Sequence, residues 1–339
     1  MRRTDYEVFD LGDFALQSGT TLRGAKLAYK THGSLVDDRS NAVVYPTWYS
    51  GRYWENEWLI GEGMALDPTR YFIIVPNLFG NGVSSSPSNT PPPFDRARFP
   101  HVTLYDNIRA QHRLVTERFG IERLRLVTGW SMGAQQTYQW AVAYPDMVER
   151  ILPFCGSPRT SDHNKVFLEG VKAALTADTA WQRGWYDTQP WTGLRAMARV
   201  YAGWGFSQAF YWQERWRDLG YTSLESFLVG FWEGFFLDGR DANNLLAMLW
   251  TWQRGDVGAT PGFDGDTERA LASITAQAIV MPAQKDLYFP PEDEEWTVSH
   301  LRQAELRIIP GVWGHFAGGG LNPEDTAFID AALKELLAR

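Results

Sequence analysis

The stretch "VTGWSMGAQQTYQWA", residues 127–141, sets a serine between two glycines just where an apolar run ends and a helix-like pattern begins. The Gly-x-Ser-x-Gly letters alone say little. Glycine makes up about 7% of average sequence, and chance supplies such a match in roughly one chain of ten at this length. Context carries the reading: "LRLVTGW" (124–130) has the texture of a buried strand, and "MGAQQTYQWAVAYP" (132–145) is built from good helix formers and ends before Pro145. Ser131 therefore falls on a strand-to-helix turn, the setting in which a serine is presented as a nucleophile. Gly129 and Gly133 let backbone and neighbouring strands close around that turn. The helix N-terminus directs positive partial charge toward Ser131, which favours an oxyanion nearby.

The same strand texture recurs in "NAVVYPT" (41–47), "YFIIVPN" (71–77), "RILPFCG" (150–156), "AQAIVMPA" (276–283) and "ELRIIPG" (305–311). Continuous apolar runs of this length, closed by Gly or Pro, predict strands buried on both faces of a parallel sheet. Helical patterns separate several of them: "TLYDNIRAQHRLVTERFG" (103–120) stops at Gly120, and "EDTAFIDAALKELLAR" (324–339) is amphipathic. Alternation of this kind predicts a mostly parallel, doubly wound α/β sheet. Ahead of it, residues 5–33 read as an antiparallel hairpin. "SSSPSNTPPPF" (84–94) reads as a rigid surface loop.

Between about residues 160 and 260 the texture changes. Two aromatic stretches there hold nine of the sixteen tryptophans and few strand-like runs. This predicts a core domain of residues 1–160 and 261–339, with residues 161–260 forming a helical lid insertion. Its aromatics serve the core and line an apolar pocket beneath the lid.

A net charge of −8 and a pI near 5.3, with no basic stripe, exclude a polyanion such as nucleic acid as partner. No segment approaches the roughly 18 apolar residues of a membrane span, and "MRRTDYEVFDLGDF" does not read as a secretory signal. The expectation is a soluble, cytoplasmic protein whose lone Cys155 is a small buried residue. The six histidines include no His-x-x-x-His pair, so no metal site is expected. "FGNGVSSS" lacks the third glycine of a dinucleotide loop and the lysine of a phosphate loop.

A serine hydroxyl is a weak nucleophile and needs a histidine to take its proton and an acid to orient that histidine. On this architecture the chain order is Ser, acid, His. His315, in "PGVWGHFAGGG", follows the last predicted strand on a glycine-rich loop, whereas His300 falls within a helix-like segment. Asp286, in "AIVMPAQKDLYFPP", follows a strand of its own, with Asp162 the alternative acid. Ser131, Asp286 and His315 thus form the expected triad. The oxyanion would be met by the amides of Met132 and of Tyr49 in "PTWYSGRYW", with Trp48 the alternative second donor and otherwise apolar lining.

The stretches "KLAYKTHGSL", "YFIIVPNLFGNGVSSSPSN", "FPHVTLYDNIRAQHRLV", "GWSMGAQQTYQWAVAYPD", "KDLYFPP" and "GH" together resemble the homoserine O-acetyltransferase family of α/β-hydrolase-fold enzymes. The resemblance spans most of the chain outside the Trp-rich insertion. It implies the α/β-hydrolase fold, a serine that takes an acyl group from acyl-CoA and passes it to an alcohol, and a homodimer through the helical insertion. Departures fall where the family is thought to hold its amino acid. Phe316 stands where an Asp usually follows the histidine, and Lys172 aligns with the usual carboxylate-binding arginine. "TWYSG" replaces a His-containing loop, and Ala134 replaces a glycine.

An intact triad beside an altered acceptor site leads to a serine hydrolase of an ester, thioester or amide with no bound cofactor. One alternative is an O-acyltransferase that uses acyl-CoA as cosubstrate and an alcohol other than homoserine. Another is a binding protein that keeps the fold without the chemistry.

Overall fold

In the computed structural model, which describes residues 4–339, eight strands form a single sheet in the order β1-β2-β4-β3-β5-β6-β7-β8. They are β1 (Glu7–Ala15), β2 (Thr21–His32), β3 (Ala42–Val44), β4 (Phe72–Pro76), β5 (Leu126–Trp130), β6 (Arg150–Phe154), β7 (Gln277–Val280) and β8 (Ala304–Leu306). β1 and β2 form the expected antiparallel hairpin, and β2 also runs antiparallel to β4. From β4 to β8 every pairing is parallel.

Parallel strands need covered faces, and the helices supply the cover. α1 (Leu104–Arg113) begins at a capping box in which Thr103 and Asp106 satisfy each other's amides, and it runs through a π-helical turn to Gly120, whose φ is +62°. α2 (Met132–Ala143) follows β5. Between β6 and β7 the chain leaves the sheet for α3 (Asp162–Thr176), α4 (Trp191–Gly205), α5 (Gln208–Trp212), α6 (Leu224–Phe227), α7 (Gly234–Leu237), α8 (Ala242–Gln253) and α9 (Thr267–Ala272). α10 (Pro291–His300) and α11 (Pro323–Ala338) complete the chain.

Alternate strand residues feed two cores. Val43, Ile73, Leu126, Leu152 and Ile279 face one that also takes in the aromatic helices α3 to α8. Val44, Ile74, Val127, Ile151 and Val280 face the other, beside α1 and Trp140 of α2. Both-face burial is what the unbroken apolar runs predicted. No helix among the described residues is long and apolar enough to cross a membrane.

Two expectations change. Residues 84–94 are only partly a surface loop, because Ser84 and Ser86 are fully buried. Their neighbourhood replaces a strand partner for β2: Ser84 Oγ accepts from the Ala28 amide at 3.0 Å, and Ser85 Oγ from the Lys26 amide at 2.9 Å. The strand expected over 305–311 is short. Beyond Leu306 only spaced contacts persist, such as Ile309 N to Pro282 O at 2.8 Å, and Pro310 has no N–H to extend them.

Candidate active site

Ser131 occupies the turn between β5 and α2 with φ 59° and ψ −124°, a backbone region that L-residues avoid and that costs of order 1–3 kcal/mol. The surroundings hold it there. Its amide donates to Phe154 O at 3.1 Å, and its carbonyl accepts from the Ala134 and Gln135 amides at 2.9 and 3.1 Å. A Cβ on Gly129 would stand 2.4 Å from the Gly133 carbonyl carbon, and one on Gly133 would stand 2.9 Å from Pro46 O. Gly156 has no counterpart in the motif yet is equally constrained. A Cβ there would meet Ser131 O at 2.5 Å and the Ala134 methyl at 2.7 Å, so the space that Ala134 fills is left by Gly156.

The structure brings Ser131, His315 and Asp286 together. His315 Nε2 lies 2.9 Å from Ser131 Oγ, and His315 Nδ1 lies 2.8 Å from Asp286 Oδ2. Asp286 Oδ1 accepts from the amides of Tyr288 at 2.7 Å and Phe289 at 3.1 Å, so the loop after β7 clamps the carboxylate by its own backbone. An anionic Asp286 must draw the Nδ1 proton, which leaves the Nε2 lone pair facing the serine hydroxyl. Trp130 Nε1 donates to the His315 carbonyl at 3.1 Å, fixing the main chain of the Gly314–Gly318 turn. All three side chains are buried.

Asp162 and His300 stand outside this relay. Asp162 opens α3 and pairs with Lys165 at 3.0 Å on the surface. His300 ends α10 against Trp296.

Tyr49 lies in a turn closed by Gly51 N to Trp48 O at 2.9 Å, with Ser50 held at φ +60°. Side chains far away in sequence pin the loop that leads to it. Asn56 Nδ2 donates to Tyr45 O and Pro46 O, each at 3.2 Å, and Gln136 Nε2 of α2 donates to Thr47 O at 2.7 Å. Gln136 thus ties this loop to the helix whose first residue, Met132, carries the second expected amide. Asn56, Gln136 and Gly156 were missed in the sequence, where only their polarity or size was visible.

Residues 43–317 match the family model described as the alpha/beta hydrolase fold. The chain belongs to the α/β hydrolase fold family. It is 41% identical to an ethyl acetate hydrolase of Pseudomonas veronii, over 98% of this chain and 95% of that one. A solved acetylester hydrolase from Corynebacterium glutamicum superposes with a TM-score of 0.95 at 39% identity, covering 98% and 96% of the two chains. Similarity extends to the homoserine O-acetyltransferase of Chlorobaculum parvum, 31% identical over 90% of this chain and 87% of that one. The resemblance read from the motifs is therefore genuine, and this α/β hydrolase is an enzyme.

In this α/β hydrolase Ser131 lines a narrow cleft of about 40 Å³, together with Trp48, Tyr49 and Trp130 and with residues of α4, α7 and α8. No Asp, Glu, Lys or Arg is among the described residues that line it. Trp48 and Phe316 both line it. Phe316 stacks on Phe206 at 4.5 Å and meets Trp130 at 5.5 Å. Lys172 is not there. The inward face of α3 carries Phe167, Leu168, Val171 and Leu175, which turns Lys172 outward to pair with Glu169 at 3.4 Å beside a separate cleft that holds Trp181 and Trp250. A linear alignment carries residue type across but cannot see which way a helix face is turned.

Proposed function

We propose that this enzyme hydrolyses short-chain carboxylic esters, acetyl esters foremost, through an acyl-enzyme on Ser131. The observation that carries the reading is the Ser131–His315–Asp286 relay opening into a small aromatic cleft with no charged side chain besides the relay itself. Two relatives of about 40% identity, an ethyl acetate hydrolase and an acetylester hydrolase, support it.

Ser131 Oγ attacks the ester carbonyl while His315 Nε2 takes its proton. Asp286, held by two amides, keeps the imidazole in register and stabilises its cationic form. The Tyr49 and Met132 amides receive the tetrahedral oxyanion, where preorganised donors act without reorganising. His315 then returns the proton to the departing alcohol. Water, activated by the same imidazole, releases the acid.

An amino-acid acceptor would bring an ammonium and a carboxylate, and burying either without a partner is costly. With Phe316 in the cleft and Lys172 outside it, homoserine finds neither counter-charge. Initial rates on p-nitrophenyl esters from acetate to octanoate, alongside thiol release from acetyl-CoA with and without L-homoserine and simple alcohols, test the reading. Hydrolysis fastest on acetate and independent of added alcohol is expected. Acyl release that requires an alcohol would assign a transferase instead.

A further inference from the structure

Two hydrogen-bond donors on the wall of the Ser131 cleft have no use in the relay. The Tyr288 hydroxyl and the Trp252 indole N–H belong to residues only 2% and 1% exposed, and neither atom has a hydrogen-bond partner among the described residues. Both residues line the cleft. The Tyr288 ring lies 4.5 Å from that of His315 and 5.8 Å from that of Trp252, which in turn lies 5.4 Å from Tyr49. Of the other polar atoms on this wall, the Tyr49 hydroxyl donates to Leu245 O at 3.2 Å and Trp130 Nε1 donates to His315 O, while Trp48 Nε1, Ser50 Oγ, Tyr201 Oη and Trp232 Nε1 also have no partner among the described residues. Of the unpartnered groups, Tyr288 is the one whose ring lies beside His315, with Trp252 next to it. Burial among apolar rings holds the Tyr288 phenol well above its ordinary range, so it stays a donor at every working pH. An indole N–H can only donate.

We propose that Tyr288 Oη and Trp252 Nε1 together receive a substrate oxygen other than the scissile carbonyl. The preferred substrates are then short esters carrying an ether, keto or hydroxyl oxygen a few atoms from the ester bond. The inference rests on the ester-hydrolase reading above. Water can serve both donors in the free enzyme, but a methylene that displaces it strands them, whereas an oxygen in the same place replaces its hydrogen bonds. The discrimination is therefore between two ligands of nearly one shape, and a site built to hydrogen-bond rejects the analogue that lacks the oxygen.

Two matched pairs test this. 2-Methoxyethyl acetate differs from n-butyl acetate by one oxygen for one methylene in the alcohol, and ethyl methoxyacetate differs from ethyl butyrate likewise in the acyl group. The wild-type enzyme is expected to favour the oxygenated member of at least one pair by about tenfold in kcat/KM, mainly through KM. Tyr288→Phe and Trp252→Phe should each shrink that ratio toward one, since both keep a ring while removing the donor. Equal kcat/KM within both pairs, or a preference that survives both substitutions, overturns the proposal and leaves the esterase reading standing. The wild-type comparison decides alone if a variant does not fold. No hydrolysis of any of the four esters overturns the esterase reading and this inference with it.

Discussion

Phe316 stacks on Phe206 with ring centroids 4.5 Å apart and planes 16° from parallel, so the residue next to His315 is committed to packing against the helical segment between β6 and β7. It also meets Phe231 at 5.6 Å and Trp232 at 5.4 Å. Phe316→Ala should lower stability by up to about 3 kcal/mol through the cavity it leaves. It should also raise kcat/KM for benzyl acetate relative to ethyl acetate. Denaturant unfolding and the two rates check this. An unchanged ratio would mean that Phe316 does not bound the alcohol side of the cleft.

Gly129→Ala tests the turn from behind. Its new methyl would face the Gly133 backbone at 2.4 Å, and no flexible side chain is there to yield. Overpacking should cost about 1–3 kcal/mol and displace Ser131. Labelling of the folded variant by a fluorophosphonate is expected to slow at least about tenfold. Wild-type labelling would show that the close approach is not required.

Arg240, between α7 and α8, reaches across to Glu55 in the segment after β3. Its buried guanidinium lies 2.6 Å from Glu55 and 3.6 Å above the Phe235 ring, which stacks on Trp48 at 6.1 Å. Arg240→Met removes the charge and leaves Glu55 poorly paired, so a loss of about 2–4 kcal/mol is expected. KM should rise more than kcat falls, because the residues disturbed are cleft walls rather than the relay. Kinetics on ethyl acetate, with a urea titration, would register both effects.

Glu294 sets a pH dependence distant from the relay. It is fully buried on α10, where Tyr138 donates to its Oε2 at 2.5 Å and Oε1 has no partner among the described residues. Burial pushes its carboxyl well above the ordinary 4.5. Above that value the unfolded chain releases the proton while the native protein keeps it, so the native state binds more protons and stability falls as pH rises. Glu294→Gln should flatten that decline. Urea midpoints measured from pH 5 to pH 8 compare the two slopes, and identical slopes would show that Glu294 ionises freely in the fold.

Much of this is legible in the amino-acid sequence. The strand runs were readable because burial on both faces leaves no polar interruption, and Ser131 because strand, turn glycines and helix formers agree locally. Asp286 and His315 followed from position after strands. What stayed hidden depends on distance or direction. Gly156 matters only because β6 brings it against the Ser131 carbonyl, and Gln136 only because α2 passes the loop after β3. Ser84 and Ser85 looked like loop residues because hydroxyls that cap a neighbouring strand have the same composition as solvated ones. Lys172 was misplaced because its outward turn is set by which face of α3 meets the core.

Acyl-enzyme formation on Ser131 is tested by kcat on ethyl acetate for Ser131→Ala in a sample shown to be folded. A fall of about 10⁴-fold or more, with unfolding behaviour unchanged, is predicted, since removal of a nucleophile leaves only binding and oxyanion stabilisation. Turnover retained near the wild-type rate would show that Ser131 is not the nucleophile.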